Sequence, residues 1–338
     1  MIVDRYARQL ILREIGPEGQ ERLRKGRVLI AGCGALGTNA AQLLLRAGVG
    51  RLRIVDRDFV EQDNLHRQVL FDETDANERR PKAIAACSRL KQVNSQAELE
   101  PVVADMTPRT IEKLLTCVDV VVDATDNMET RFLLNDACVK NGVSWVYGGA
   151  VGTVGMTMTV VPGKTACLRC VMESPPAAGV LPTCETMGVL NAAPAAVAAF
   201  EAAEAMKVLV GRDKTGDTIL YFDVWQRTMQ SFAVARRADC PACGKGEYEF
   251  LAGAREGWVV CLCGRNAVQV TPADEAALDL ARLKDALSPY GRAEFNGYLL
   301  SLKTDDKELV IFPDGRAIVK GTTDEALART LYARYIGH

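Results

Sequence analysis

Hydrophobic and polar positions follow two periods along this chain, and the points where one gives way to the other mark its elements. Val28 to Ala31 is an unbroken apolar, β-rich run that breaks into Gly32, Gly34 and Gly37. From Ala35 to Ala47 the pattern is helical, with Leu36, Ala40, Leu43 and Leu44 on one face. Arg51 to Val55 makes a second strand, ending at Asp56. Residues 98–104 predict a third strand and 107–117 a helix. Val118 to Ala124 is a strongly apolar strand, followed by Thr125-Asp126-Asn127 and a helix from Glu129 to Asn141. Trp145 to Ala150, Met156 to Val161, Ile219 to Trp225 and Gln230 to Ala235 are further strands. Pro194 to Val210 is a helix whose smooth face, Ala195, Ala198, Ala199, Ala202 and Ala205, is either core or a homodimer contact, with half of it tied to the sheet.

Strands alternating with helices predict an α/β fold, a Rossmann-like, doubly wound, mostly parallel sheet with an antiparallel extension. This domain is expected over residues 1–247. Beyond it the pattern changes to short strands and two helices, a small α+β domain over 248–338. There Trp258 to Gly264 and Ala267 to Val270 read as strands, Leu278 to Leu287 as a helix, and Tyr298 to Lys303 with Glu308 to Phe312 as a hairpin. Ala317 to Val319 follows the Asp314-Gly315 turn, and Asp324 to Tyr335 closes as a helix. Cys261 and Cys263 alternate on a strand, a pattern of burial more than of a ligand pair.

Composition narrows the function classes. The chain has 338 residues, 48% hydrophobic and 25% charged, with net charge −2, so nothing argues for nucleic acid or an anionic membrane surface. Met1-Ile2-Val3-Asp4-Arg5 leads into polar sequence rather than a signal peptide. The most apolar helix carries Glu201, Glu204 and Lys207 and does not span a bilayer. The expectation is a soluble cytosolic protein with neither membrane nor nucleic acid as partner. Only His66 and His338 are histidines, so acid–base chemistry through a histidine pair is disfavoured.

Strand, glycine turn, helix, strand and carboxylate form one nucleotide-binding βαβ unit. Gly32, Gly34 and Gly37 let the backbone turn and approach a phosphate, which the helix N-terminus favours. Asp56 stands about 20 residues on, where a carboxylate accepts bonds from ribose hydroxyls. The motif fits a dinucleotide or ATP. Arg67 and Lys82 lie at the carboxyl side of the first strands, where a fork donor and a point charge suit a polyphosphate or are plain surface charge. Asp126 reaches the same edge, as a Mg²⁺ ligand, or as a cap of the next helix together with Asn127. In the polar lead-in, spacing alone makes Arg5 and Arg8 a solvated face.

Eleven cysteines in a chain without a secretion signal point to metal, catalysis or burial. Cys167-Leu168-Arg169-Cys170 and Cys240-Pro241-Ala242-Cys243 make a four-thiolate zinc site, structural because no coordination position stays open; the rival is a redox dithiol. Between the pairs, a proline- and glycine-rich loop carries Cys184, a nucleophile or an incidental cysteine.

Taken together, Arg-Tyr-Ala-Arg-Gln at 5–9, Gly-Cys-Gly-Ala-Leu-Gly at 32–37, Asn-Leu-His-Arg-Gln at 64–68, Pro-Lys at 81–82, Thr-Asp-Asn at 125–127 and the two Cys-x-x-Cys pairs resemble the ThiF/MoeB/HesA adenylyltransferases, bacterial relatives of ubiquitin-activating enzymes. The resemblance covers about residues 4–245. It implies that Gly32, Gly34 and Gly37 cradle ATP, with Asp56 on the ribose. Asn64, Arg67 and Lys82 would hold the phosphates and Asp126 Mg²⁺. Arg8 would reach into a partner protomer's site as an arginine finger, which requires a homodimer. Cys167, Cys170, Cys240 and Cys243 would bind Zn²⁺, and Cys184 aligns with a loop cysteine some members use in sulfur transfer.

The implied reaction is ATP-dependent adenylation of the C-terminal carboxylate of a small ubiquitin-like sulfur carrier ending in Gly-Gly. A sulfur donor, a cysteine desulfurase or similar, then makes the thiocarboxylate. The extension, with Cys-Gly-Arg-Asn-Ala-Val-Gln at 263–269, Phe-Asp-Val-Trp at 222–225 and Phe-Pro-Asp-Gly-Arg at 312–316, resembles that of thiazole-biosynthesis members, which favours the thiamine branch over a molybdopterin carrier or another acceptor. The rivals are an NAD-dependent oxidoreductase, which leaves Arg8, Arg67 and the cysteine pairs idle, and a non-catalytic scaffold.

Overall fold

The computed structural model describes residues 5–176, 184–211, 217–253, 259–262, 266–272, 277–304 and 306–337. The chain divides into two compact units, Met1–Gly253 and Ala254–His338.

The first unit is wound on an eight-stranded sheet. Its strands are β1 (Arg27–Ala31), β2 (Arg51–Val55), β3 (Glu98–Val102), β4 (Val120–Asp123), β5 (Ser144–Val151), β6 (Val154–Val160), β7 (Thr218–Asp223) and β8 (Thr228–Ala233). They lie in the order β3-β2-β1-β4-β5-β6-β7-β8. The pairs from β3 to β5 are parallel, and those from β5 to β8 antiparallel. This is the doubly wound, mostly parallel sheet with an antiparallel extension that the pattern predicts.

Strand residues alternate between the two faces, so each strand feeds two cores. On one side Val28, Ile30, Leu52, Ile54, Val120 and Val122 pack beneath α3 (Ala35–Ala47), α5 (Lys82–Val93) and α10 (Ala192–Val210). On the other, Leu29, Ala31, Val55, Val121 and Trp145 pack beneath α6 (Ile111–Leu114) and α7 (Met128–Asn141). The smooth face of α10 is core: Ala198, Ala202 and Ala205 are buried, although Ala199 is exposed. Smaller helices are α1 (Ala7–Leu10), α2 (Gly16–Lys25), α4 (Glu73–Asn77), α8 (Leu168–Val171), α9 (Cys184–Met187) and α11 (Glu249–Ala252).

Phe250 and Leu251 of α11 belong to the α7 side core, and the Phe250 N–H donates to Asp136 Oδ2 at 3.0 Å. This docking carries the first unit to Gly253, beyond the change of sequence character at 247.

Two details depart from expectation. The helix expected over 107–117 shrinks to α6, because Thr110 turns its hydroxyl back to Asp105 O (2.9 Å) and accepts from Thr107 N–H, and Cys117 takes φ +59. Leu43 is exposed, since the buried stripe of α3 runs through Ala40, Ala41, Leu44 and Leu45.

The second unit is an antiparallel sheet of β9 (Val259–Leu262), β10 (Ala267–Val270), β11 (Arg292–Phe295), β12 (Leu300–Lys303), β13 (Glu308–Ile311) and β14 (Ala317–Lys320), in the order β11-β12-β13-β14-β10-β9. Alternate residues Leu300, Leu302, Leu309, Ile311 and Val319 pack with Leu280 and Leu287 of α12 (Leu280–Leu287) and with Ala328 and Tyr332 of α13 (Glu325–Tyr335). Cys263 and the Cys261 side chain lie outside the described residues. Among the described residues, no helix is long and apolar enough to cross a membrane.

Candidate active site

β1 has β2 on one side and β4 on the other, so the winding reverses there. In open α/β sheets the crevice outside the carboxyl ends at such a point receives ligands. The sequence delivers the glycine turn, Asp56 and Thr125-Asp126-Asn127 to it.

Two of the glycines are demanded by packing. Gly32 has φ +97, and a Cβ there would stand 2.5 Å from Ala124 O. A Cβ on Gly37 would stand 2.1 Å from Gly32 O. Gly34, at the N-terminus of α3, is different: a Cβ would meet only Gln68 Nε2 at 4.0 Å. The turn is thus closed around Gly32 and Gly37 and open at Gly34, above the helix N-terminus where an anion is favoured.

Asp56 is engaged with the turn itself. Its Oδ2 accepts from Cys33 N–H at 2.6 Å and its Oδ1 from Asp58 N–H at 2.7 Å. Burial pushes its carboxyl up, and the nearby Lys82 charge opposes that shift. Lys82, at the start of α5, is buried, with Nζ 3.5 Å from Asp58 Oδ2. Arg57, which the sequence reading passed over, pairs with Asp105 at 3.3 Å and lies in the field of Asp56, Asp58 and Asp126. Its place directly after Asp56 is the signal that could have found it.

Asn64 is buried and turned inward: Oδ1 accepts from Glu61 N–H (3.2 Å) and Nδ2 donates to Asp63 Oδ1 (2.8 Å), capping a short 3-10 turn. Arg67 is half-buried, with Nη1 donating to Asp63 O at 2.6 Å. At the end of β4 the capping question resolves onto Asn127, whose Oδ1 accepts from Thr130 N–H at 2.8 Å. Asp126 stays exposed, its Oδ1 accepting from Asn127 Nδ2 at 3.3 Å. An outward carboxylate beside the open glycine turn fits a Mg²⁺ ion, which takes one or two carboxylates and otherwise phosphate oxygens and water.

Arg8 is exposed on α1. Its neighbours pin that helix to α2 and to the carboxyl ends of α3 and α5: Gln9 Nε2 donates to Ala47 O (2.8 Å) and to Gln20 Oε1 (2.7 Å), and Tyr6 OH accepts from Asn94 Nδ2 (3.2 Å).

The two Cys-x-x-Cys pairs meet. Cys167 Sγ is 3.6 Å from Cys240 Sγ, Cys170 Sγ is 3.4 Å from Cys243 Sγ, and all four sulfurs lie within 4.8 Å of one another. A tetrahedral zinc with Zn–S of about 2.3 Å sets its sulfurs about 3.8 Å apart, so the cluster fits that ion. Cys184 begins α9; its side chain lies outside the described residues. The segment leaving α9 is tied to the β5–β6 turn, with Gly152 N–H donating to Gly188 O (3.0 Å) and Leu190 N–H to Gly152 O (2.8 Å). Asn191 Nδ2 then donates to His66 O at 3.3 Å, which brings this segment to the 64–68 stretch.

The model of the ThiF family matches residues 6–242. The chain belongs to the ThiF family. A family member from Bacillus subtilis, "Sulfur carrier protein ThiS adenylyltransferase", is 41% identical over 336 residues, 98% of this chain and 99% of that protein. A second relative, the "Sulfur carrier protein adenylyltransferase" of Thermus thermophilus, is 39% identical over 267 residues, 75% of this chain and 97% of that one. Among solved structures, E. coli MccB with MccA-N7isoASN shares the fold at TM-score 0.64 and 22% identity, over 71% of this chain and 75% of that one.

Proposed function

We propose that this chain adenylates the C-terminal carboxylate of a small ubiquitin-like sulfur carrier of the ThiS kind, ending in Gly-Gly, with ATP and Mg²⁺. The observation that carries this reading is the open Gly34 position above α3, with Lys82 and Asp126 at the same sheet edge, in a ThiF-family chain matched end to end by a sulfur carrier adenylyltransferase.

A carboxylate oxygen of the carrier attacks the ATP α-phosphorus, and the bond to the β-phosphate oxygen breaks. The products are acyl-adenylate and pyrophosphate. The carboxylate is ionised at neutral pH, so no general base is needed. Positioning and charge stabilisation supply the catalysis. Gly34 and the N–H groups of the first turn of α3 receive phosphate, Lys82 and Arg67 neutralise it, and Asp56 orients the ribose. Arg8 enters the neighbouring protomer's site of a homodimer. Asp126 holds Mg²⁺, which when bound neutralises phosphate charge. Asn64 acts through the fold it caps, keeping Arg67 at the edge. Cys167, Cys170, Cys240 and Cys243 hold a structural Zn²⁺.

A persulfide donor of the cysteine desulfurase class passes its outer sulfur to the Cys184 thiolate. The Cys184 persulfide then displaces AMP to give an acyl disulfide, and a second thiol attacks Cys184 Sγ, releasing the carrier thiocarboxylate for thiazole synthesis and leaving Cys184 in a disulfide. If Cys184→Ala forms thiocarboxylate at the full rate with adenylation intact, the relay is wrong.

The test of the whole reading is ATP–pyrophosphate exchange with labelled pyrophosphate. Carrier-dependent exchange with a thiamine-type carrier is expected. Exchange only with a molybdopterin-type carrier keeps the chemistry and changes the branch. No exchange with either, in folded zinc-loaded protein, overturns the reading.

A further inference from the structure

We propose that Arg131 is a positioning residue: from beneath the sheet edge it ties the Thr125 carbonyl to the Gly148 carbonyl and so fixes the Asp126 carboxylate in place. The proposal rests on the reading of that edge as an ATP and Mg²⁺ site.

Arg131 lies on the first turns of α7, folded back under the loop it follows. Its Nη2 donates to Thr125 O at 2.9 Å and to Gly148 O at 2.8 Å. Its Nε stands 3.3 Å from Asp123 Oδ2, and its guanidinium carbon 5.0 Å from the centre of the Tyr147 ring. Thr125 is held from the other side too. Asp123 Oδ1 accepts from its N–H at 2.9 Å and from its hydroxyl at 2.6 Å. Every polar group of Thr125 is therefore engaged by the Asp123–Arg131 pair. The residue after Asp126 is fastened as well, since Asn127 caps α7. Asp126 is the exposed link between two fixed ones.

The site is built around this guanidinium. β5 carries two successive glycines where it passes. On one face, a Cβ at Gly148 would stand 2.2 Å from Glu201 Oε1. On the other, a Cβ at Gly149 would stand 3.1 Å from Tyr147 Oη and 3.7 Å from Arg131 Nη1. Glu201 reaches in from α10, fully buried, and neither of its oxygens has a hydrogen-bond partner among the described residues. Two carboxyls thus face one guanidinium. Burial pushes both carboxyls up; the Arg131 charge and the Thr125 hydroxyl and amide oppose that shift at Asp123, whereas only the Arg131 charge opposes it at Glu201. An arginine fork can bond two carbonyls and a carboxylate at once; a lysine ammonium at that depth cannot match the same plane. Asp123 and Glu201 are fully buried, so they act on the edge through Arg131 and the loop that carries Asp126.

The test is Mn²⁺ binding, read from the electron spin resonance of free Mn²⁺ titrated with ATP-loaded protein. ATP affinity without metal is measured alongside. In Arg131→Lys, metal-free ATP affinity stays and Mn²⁺ affinity falls about tenfold, the usual loss when a residue orienting a metal ligand is changed. In an Asp126→Asn background the same substitution changes Mn²⁺ affinity no further. Unchanged Mn²⁺ affinity in folded Arg131→Lys, or an equal further loss in the Asp126→Asn background, overturns the proposal. If Arg131→Lys does not fold, Thr125→Val, which removes the hydroxyl bond at constant size, is judged by the same two criteria. Wild-type protein that binds no ATP sinks the nucleotide reading, and this proposal with it. Wild type that binds ATP and Mn²⁺ beside an unaffected variant sinks the positioning role alone.

Discussion

Glu201 meets β5 at Gly148, where a Cβ would come within 2.2 Å of its Oε1. The strand carries no side chain there because the carboxyl group from α10 occupies that volume. Gly148→Ala overpacks a buried site and is expected to cost about 1–3 kcal/mol, seen as a lower urea midpoint at constant slope. Gly148→Ala combined with Glu201→Ala should cost less than the sum of the two single changes, since the truncated side chain leaves room for the methyl.

Asp136 gives the fold a pH dependence. Burial raises its carboxyl from 3.8 to about 6, against the Phe250 N–H that lowers it. The folded value lies above the unfolded one, so the unfolded chain ionises first. Stability is therefore full below about pH 4 and is lost as pH rises through 6, by at most about 3 kcal/mol. Asp136→Asn keeps an acceptor for Phe250 N–H and removes the titration. Its stability relative to wild type should climb from pH 4 to pH 7 and then level off.

Gly32 and Gly34 should respond oppositely to alanine. Gly32→Ala drives a methyl into Ala124 O and takes folding with it. Gly34→Ala finds open space, so its melting temperature should stay near wild type while ATP affinity falls at least tenfold, because the methyl stands where a phosphate approaches. Calorimetry of the two variants, with and without ATP, separates these outcomes.

Removal of metal should unfold the cysteine cluster. Metal analysis is expected to give one zinc per chain, lost in Cys243→Ser with a marked drop in melting temperature. Full stability in chelated, metal-free protein would make the four sulfurs a reduced cluster with no structural ion.

The proposed function has Arg8 and Lys82 serving the same reaction from different protomers. Arg8→Ala and Lys82→Ala should each abolish exchange alone. Mixed and reassorted, they form heterodimers with one intact site, so about a quarter of wild-type activity should return.

The fold was legible where one period dominates. Val28 to Ala31 and Val120 to Val122 are apolar on both faces, as buried parallel strands must be, and the glycine turn places the switch point between them. The helix over 107–117 was not, because Thr107 and Thr110 bond locally and compete with the helix. The ends of β1, β2 and β4 and the start of α5 place Gly34, Asp56, Asp126 and Lys82 at the carboxyl edge of the sheet, which the strand and helix pattern made legible. Arg131, Asp123 and Glu201 were not: they lie in runs that read as helix or strand, and only tertiary packing joins them. A glutamate among the alanines of α10 was the one visible sign.

The anchoring of α1 carries a kinetic consequence. Gln9 fastens that helix at Ala47, the far end of α3 from the glycine turn. A helix of 13 residues is about 20 Å long, so Arg8 is carried away from the crevice of its own chain and an arginine side chain cannot span the gap. On the proposed reading, a lone chain is then catalytically silent, however well it folds. Turnover per chain should rise with protein concentration and saturate, vanish on dilution below the dissociation constant of the dimer, and recover on reconcentration.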